Sequence, residues 1–320
     1  MEVLVEDIIL AIDLGATNIL YGVANVKGDI LYKNVLATNS NLGANYVLSK
    51  LANIIERLLA EHNKKGQVKA VIVATPGPLS HLDKIVYNSP NLHWNRVAIK
   101  KELQARLNHP TLPIMIEKDT NMAVLGEYYF GQDRQYSNLI YITVSTGIGG
   151  GIIINDRLYR GANGGAGEIG HLVVKPNGER CGCGQYGCLE ALASGRAIAK
   201  QAQERIIQVG FPHIGSKEVG ELARQGNSLA IAILDEALDN LARGLANVVN
   251  LFNPNIMVLG GGVIEGLQDL WLDRLVEKVL GSVFKLNAQN LKIEMTKLGG
   301  DIGLYGCVAA YVFFKEGQRV

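Results

Sequence analysis

Apolar positions along the chain fall into two patterns, short β-branched runs and longer stretches with helical spacing. Ile8–Asp13 is a run of the first kind and ends in Asp13-Leu-Gly-Ala-Thr-Asn18. Residues 19–25 and 30–37 predict two further strands, joined through the turn Lys27-Gly28-Asp29. Over Ala44–His62 the apolar residues Leu48, Leu51, Ile54, Ile55 and Leu58 recur three or four apart, which predicts a helix. Val68–Ala74 predicts a buried strand, broken by Thr75-Pro-Gly-Pro78. After the irregular stretch Asn88–Trp94, a helix near 97–107 is expected to lead into a strand over Pro113–Glu117. That strand ends at Lys118-Asp119-Thr120-Asn121, and a helix is expected from there to about Phe130.

The pattern then recurs. Leu139–Val144 predicts a strand, Ser145-Thr-Gly-Ile-Gly-Gly-Gly151 a glycine turn, and Ile152–Asn155 the returning strand. This repeats the strand, polar glycine turn and strand of Ile8–Asn25, and predicts a duplicated fold with two phosphate loops. Helices are expected over Leu189–Gln208 and Ser228–Asn253. The second carries Leu234, Leu238, Leu241, Leu245, Val248 and Phe252 as one apolar stripe. A strand at Ile256–Leu259 closes on Gly260-Gly-Gly262; a helix, a strand at Leu291–Leu298 and a last helix from about Ile302 follow.

Composition narrows the class. With 320 residues, 48% hydrophobic, and 37 glycines, the chain suits an α/β enzyme of two domains or one large one. The 31 basic residues balance 30 acids, so no global basic field points to nucleic acid. No apolar run approaches the roughly 20 residues that span a bilayer, so no membrane partner is expected. The N-terminal MEVLVEDIILAIDLG lacks the cationic start of a signal peptide. Four cysteines and no evident disulfide frame fit a reducing cytoplasm.

The most specific chemistry lies in His171, Cys181, Cys183 and Cys188, spaced His-x9-Cys-x-Cys-x4-Cys. One imidazole and three thiolates are the ligand set of a closed, structural zinc site; the alternative is three buried cysteines and an unrelated histidine. Cys307, within an apolar run, is expected to be a buried thiol. Glu168 and Glu190 bracket the cluster. Asp13, Gly15, Thr17 and Asn18 form a turn whose backbone N–H groups can cradle phosphate while Asp13 holds Mg²⁺, although such a turn also closes ordinary hairpins. Thr146 and Gly147 belong to a second candidate phosphate loop. Gly261 and Gly262 are either a bare nucleotide-facing backbone or a helix-entry turn. None of these loops is followed by the Lys-Ser/Thr of a Walker A loop.

The run GEIGHLVV followed by CGCGQYGCLEALASG resembles the signature of the ROK family (repressors, open reading frames and sugar kinases), and most closely that of its zinc-containing glucokinases. The resemblance implies an actin-like ATPase (ribonuclease H-like) fold, two α/β domains with a cleft between them and a duplicated mixed sheet. The domains are expected at 1–118 plus 302–320 and at 119–301. It also implies ATP-dependent phosphorylation of a hexose, glucose first, with N-acetylmannosamine, N-acetylglucosamine or fructose as alternatives. The family's sugar-responsive repressors are the other class. The twelve residues before Asp13 are too few for their DNA-binding segment.

Residue by residue, the resemblance makes Asp119 the general base and Asn91, Lys118, Asp119, Glu168, His171 and Glu190 the sugar contacts. Asp13, Gly15, Thr17, Asn18, Thr146, Gly147, Gly261 and Gly262 fall to ATP, with Mg²⁺ on Asp13 and structural Zn²⁺ on His171, Cys181, Cys183 and Cys188. Asp119 can also serve as a helix N-cap. Lys118 stands where the family usually has asparagine, so its ammonium is expected to donate to a sugar hydroxyl. A homodimer or homotetramer that closes on its sugar is implied as well.

Overall fold

Two five-stranded sheets with the same strand order organise the computed structural model, which describes residues 6–63, 67–87, 89, 91–132, 134–206 and 214–317. The first sheet contains β1 (Ile8–Leu14), β2 (Asn18–Asn25), β3 (Ile30–Ala37), β4 (Val68–Thr75) and, after the short ribbon β5 (Ile85–Val86) and β6 (Val97–Ala98), β7 (Ile114–Lys118). Its order is β3-β2-β1-β4-β7, antiparallel through β3-β2-β1 and parallel through β1-β4-β7. The second contains β8 (Leu139–Val144), β9 (Ile148–Ile154), β10 (Arg157–Leu158), β11 (Ile256–Gly260) and β12 (Lys292–Met295), in the order β10-β9-β8-β11-β12. There β9 and β10 are antiparallel, while β8, β11 and β12 run parallel. The expected duplication is therefore present strand for strand.

Burial explains the sequence patterns. β1 and β4 are buried on both faces and read as unbroken apolar runs, as parallel central strands do. β3 lies at an edge and leaves Leu31, Val35 and Leu36 exposed. Helix α1 (Ala44–His62) spans the residues its periodicity predicts, burying Val47, Leu48, Leu51, Ile54, Ile55 and Leu58 in the same core as Leu10, Ile12 and Val71.

The remaining helices are α2 (Ile99–Gln104), α3 (Asp119–Gly126), α4 (Leu189–Ala193), α5 (Gly195–Arg205), α6 (Ser216–Arg224), α7 (Ser228–Phe252), α8 (Gly262–Gly266), α9 (Gln268–Ser282), α10 (Lys285–Ala288) and α11 (Ile302–Lys315). Helix α3 runs on into a π turn, Glu127–Gly131. The single helix expected over Leu189–Gln208 is two. Ser194 is extended (φ −75°, ψ 166°), and its side chain accepts the N–H of Ala197 to cap α5. Gln208, the residues before Glu6, and Asn88 and Pro90 of the irregular stretch lie outside the described residues. The helix expected near 97–107 starts as strand and is helical only over Ile99–Gln104. Helix α6 has no counterpart in the sequence reading.

The chain divides into two compact units: Met1–Gln135, Gly151–Ala166 and Gly300–Val320 form one; Tyr136–Gly150 and Gly167–Gly299 form the other. Residues 119–135 and 151–166 thus lie with the first unit, where the sequence reading had placed them in the second domain. The cause is close helix packing. α3 and α11 meet at Gly126 and Gly306, and a Cβ on Gly306 would overlap the Met122 backbone. No helix among the described residues is long and apolar enough to cross a membrane.

Candidate active site and metal centre

In the first unit, Asp13 is the penultimate residue of β1 and is half-buried. Gly303, in the first turn of α11, gives it room, because a Cβ there would overlap the Asp13 carboxylate. Burial, and after it the Asp119 carboxylate, push the Asp13 pKa up to about 7. The following turn is tied by Gly15 N–H to the Asn18 carbonyl at 2.9 Å. Thr38 fastens it further, its N–H on the Thr17 carbonyl at 2.7 Å and its hydroxyl on the Gly15 carbonyl at 2.7 Å. Asp13, Gly15 and Asn18 line one cavity of about 570 Å³ with Leu20, Lys33, Asn34, Val35, Gly300 and Asp301. A carboxylate beside an open cavity, its proton affinity raised by burial and by a second carboxylate, carries a repulsion that a divalent cation relieves. Magnesium fits that chemistry, and Asp13 is the side chain that would hold it.

Asp119 is the first residue of α3 and half-buried, and its Oδ1 accepts the N–H of Thr120 at 2.7 Å. The N-cap position is Lys118, with no side-chain cap bond, so Asp119 is not the cap that the sequence allowed; it sits in the first turn, where a helix N-terminus favours a carboxylate. The preceding residues are held more firmly. Glu117 Oε1 accepts the Lys118 N–H at 2.9 Å and the Asn121 amide at 3.0 Å, and Oε2 accepts Arg160 Nε at 2.7 Å. Burial works against the Glu117 charge, but Arg160, Lys84 and these hydrogen bonds outweigh it and hold the carboxyl below its usual range. Lys118, only 3% exposed, donates from Nζ to the Ala166 carbonyl at 2.7 Å. Asn91 is half-buried in the turn before the buried Trp94.

In the second unit, the turn between β8 and β9 is closed by Ser145 N–H on the Gly147 carbonyl at 2.9 Å. The strand begins at Ile148, four residues earlier than expected, so the glycine run belongs to β9 itself. Glu190, near the start of α4, braces this turn. Its Oε2 accepts the Ile148 N–H at 2.9 Å, and Oε1 lies 3.6 Å from an Arg196 nitrogen. Gly147 lies close beneath this carboxylate: a Cβ there would meet Glu190 Oε2 and push it off the turn. Thr146 stays exposed, and its carbonyl accepts the Arg196 N–H at 3.3 Å. Gly261, with φ 101°, donates its N–H to Glu265 at 3.0 Å, and Gly262 has open space at its Cα. Glu168 is exposed and accepts the His171 N–H through its carbonyl at 3.0 Å.

His171, Cys181, Cys183 and Cys188 place one ligand atom each within 4.8 Å of one another. Cys183 Sγ lies 3.7 Å from Cys188 Sγ, and Cys181 Sγ lies 3.6 Å from His171 Nδ1. Bond lengths of about 2.3 Å to sulfur and 2.0 Å to nitrogen give a tetrahedral zinc edges of about 3.8 Å and 3.5 Å. These two separations match those edges, and 3.7 Å between sulfurs is far too long for a disulfide. Burial and the two neighbouring sulfurs push the Cys188 thiol up to about 12, so a dication is what would ionise it. The cluster of four fits zinc.

The structure thus gathers the expected first-unit residues Asp13, Gly15 and Asn18 on one cavity, with Asp119 near enough to act on Asp13. It gathers Glu190 with Thr146 and Gly147 in the second. Arg160 and Gly303 were missed. Neither sits in a periodic segment that advertises its role, and each acts on a residue far off in the chain.

Comparison with known proteins follows the same lines. The model of the ROK family matches residues 9–313. The chain is 32% identical over 312 residues to a glucokinase of Thermotoga maritima, covering 94% of this chain and 96% of that protein. It is also 32% identical over 317 residues to a putative xylose repressor of a Caldicellulosiruptor species, covering 95% of this chain and 78% of that one. Among solved structures, a ROK family glucokinase of Streptomyces griseus in complex with glucose and AMPPNP superposes with TM-score 0.77 at 31% identity, over 95% of this chain and 98% of that one. The fold is that of the actin-like ATPases.

Proposed function

This chain belongs to the ROK family, and from that premise we propose that it transfers the γ-phosphoryl group of ATP to a hexose hydroxyl, with glucose the first candidate. The observation that carries the reading is the Asp13–Asp119 pair: one unit sets an acid at the end of β1 and an acid in the first turn of α3 close enough that the second raises the proton affinity of the first. Phosphoryl transfer needs little covalent chemistry from the protein beyond alignment, charge neutralisation and a place for the hydroxyl proton.

In this mechanism Asp119 takes the proton of the attacking hydroxyl at its carboxylate, oriented by the Thr120 N–H on Oδ1. Asp13 holds the metal; magnesium bound with ATP neutralises charge on the phosphates. Gly15, Thr17 and Asn18, with Thr146 and Gly147, offer backbone and hydroxyl donors to phosphate oxygens, and Gly261 and Gly262 leave room for the nucleoside. Asn91, Glu168, His171 and Glu190 contact the sugar, and Lys118 does so only on leaving the Ala166 carbonyl. His171 turns Nδ1 toward the cysteines, which leaves Nε2 for a hydroxyl and links the structural zinc to substrate geometry. Cytoplasmic residence and a homo-oligomeric state belong to the same proposal.

The second reading, a sugar-responsive regulator, draws on the repressor similarity over 95% of the chain. One experiment separates the two. ADP release is measured with ATP, Mg²⁺ and a panel of glucose, fructose, N-acetylglucosamine and N-acetylmannosamine, beside calorimetric binding of each sugar. Turnover with one hexose supports the kinase; sugar binding without turnover supports the regulator.

A further inference from the structure

The Glu117–Arg160 ion pair is buried, with side chains 5% and 1% exposed. Arg160 Nη1 and Nη2 have no hydrogen-bond partner among the described residues, and the guanidinium lies 5.4 Å from the centre of the Phe314 ring. A buried pair satisfied this incompletely is a poor source of stability; well-packed apolar residues of similar volume often do as well or better. Its geometry serves position instead. Arg160 holds Oε2 of Glu117 while Oε1 grips the Lys118 N–H and the Asn121 amide, the residue before Asp119 and the one two after it. Loop 160–166 is closed by the Ala166 N–H on the Arg160 carbonyl at 3.0 Å. Its far end is fastened by Lys118 Nζ on the Ala166 carbonyl. Gly151 lies against the Thr120 carbonyl, where no Cβ would fit. The segment carrying Asp119 is thus bolted to residues 151–166 at three points.

We propose that Glu117 and Arg160 are positioning residues for Asp119: Arg160 orients the Glu117 carboxylate, whose Oε1 fixes the backbone N–H just before the base and the Asn121 side chain just after it. The proposal rests on Asp119 being that base. Misplacing a reacting group by about 1 Å costs on the order of a hundredfold in rate, so loss of the two Oε1 hydrogen bonds should lower kcat and leave sugar affinity alone.

The test compares two double variants in which the ion pair is gone. Glu117→Gln with Arg160→Met keeps an oxygen for the Lys118 N–H and the Asn121 amide. Glu117→Leu with Arg160→Met removes it. With glucose and ATP, the first should retain kcat within about tenfold of wild type and the second should fall about tenfold to a hundredfold further. Calorimetric glucose affinity should be alike in all three. Equal kcat in the two folded variants, both high or both low, overturns the proposal. Asn121→Ala is run in parallel, since it removes only one of the two bonds. Its kcat should drop about threefold to tenfold with glucose affinity kept, and an unchanged kcat overturns the proposal even if a double variant fails to fold. Asp119→Asn separates the underlying reading. If that variant keeps more than about a tenth of kcat, the base assignment falls. If it loses kcat while the two double variants turn over alike, only the positioning role falls.

Discussion

The Glu190 carboxylate accepts the backbone N–H of Ile148 at 2.9 Å, so a residue assigned to the sugar also shapes the turn assigned to ATP phosphates. Glu190→Ala should therefore raise KM for both substrates, by about tenfold each, the loss of one charge-assisted hydrogen bond. Initial rates with glucose and ATP varied independently check this; a rise confined to glucose would contradict the dual role.

Asp119→Asn preserves shape and hydrogen bonds and cannot take up the hydroxyl proton. The expected loss in kcat is about 10² to 10⁴, with glucose affinity by calorimetry within about threefold of wild type, since the side chain keeps its oxygen. A parallel loss of affinity would instead mean a collapsed site.

Asp13 ties catalysis to stability through pH. Its folded pKa of about 7 lies above the ordinary 3.8, so the folded chain keeps a proton that the unfolded chain has released. The Asp13 contribution to stability is then complete below about pH 4, declines as pH rises toward 7 and is lost above it. Asp13→Asn should melt higher than wild type at pH 8 in the absence of divalent cations, with the gap closing toward pH 5, while phosphoryl transfer disappears. Mg²⁺ should raise the melting temperature of wild type at pH 8 and not that of the variant. A gap of the same size at every pH would show that Asp13 does not titrate in this window.

The zinc cluster gives a prediction independent of turnover. Protein purified without chelator should carry about one zinc per chain, the stoichiometry of one four-ligand site. Because Cys188 binds metal only as thiolate, acidification should release the ion with proton uptake. Cys183→Ser should lower the melting temperature and weaken glucose binding together, through His171. Metal analysis that finds no zinc would remove the structural role.

Much of this was legible in the sequence because local forces dominated it. The spacing of Leu48, Leu51, Ile55 and Leu58 reports a face that must be buried, and α1 has the predicted ends. The strand–turn–strand repeat reappears as two sheets of equal order. The ligand spacing of His171 to Cys188 produced one cluster. What was not legible depended on partners remote in the chain. The Lys118 side chain donates to the Ala166 carbonyl, 48 residues on, a bond that no local pattern announces. Arg160 gains meaning only from Glu117, 43 residues earlier. Ser194 breaks a helix that periodicity alone would continue, because its hydroxyl competes for the Ala197 N–H.

The burial of Lys118 turns it into a gauge of local opening. Acylating reagents attack an amine that is exposed and unprotonated, and this one is 3% exposed with its ammonium on a carbonyl. Labelling of Lys118 can proceed only from molecules in which loop 160–166 has let go, so its rate, followed by mass spectrometry against exposed lysines such as Lys27, counts those excursions directly. The same chain thus carries a built-in footprint of how often the segment beside Asp119 comes undone.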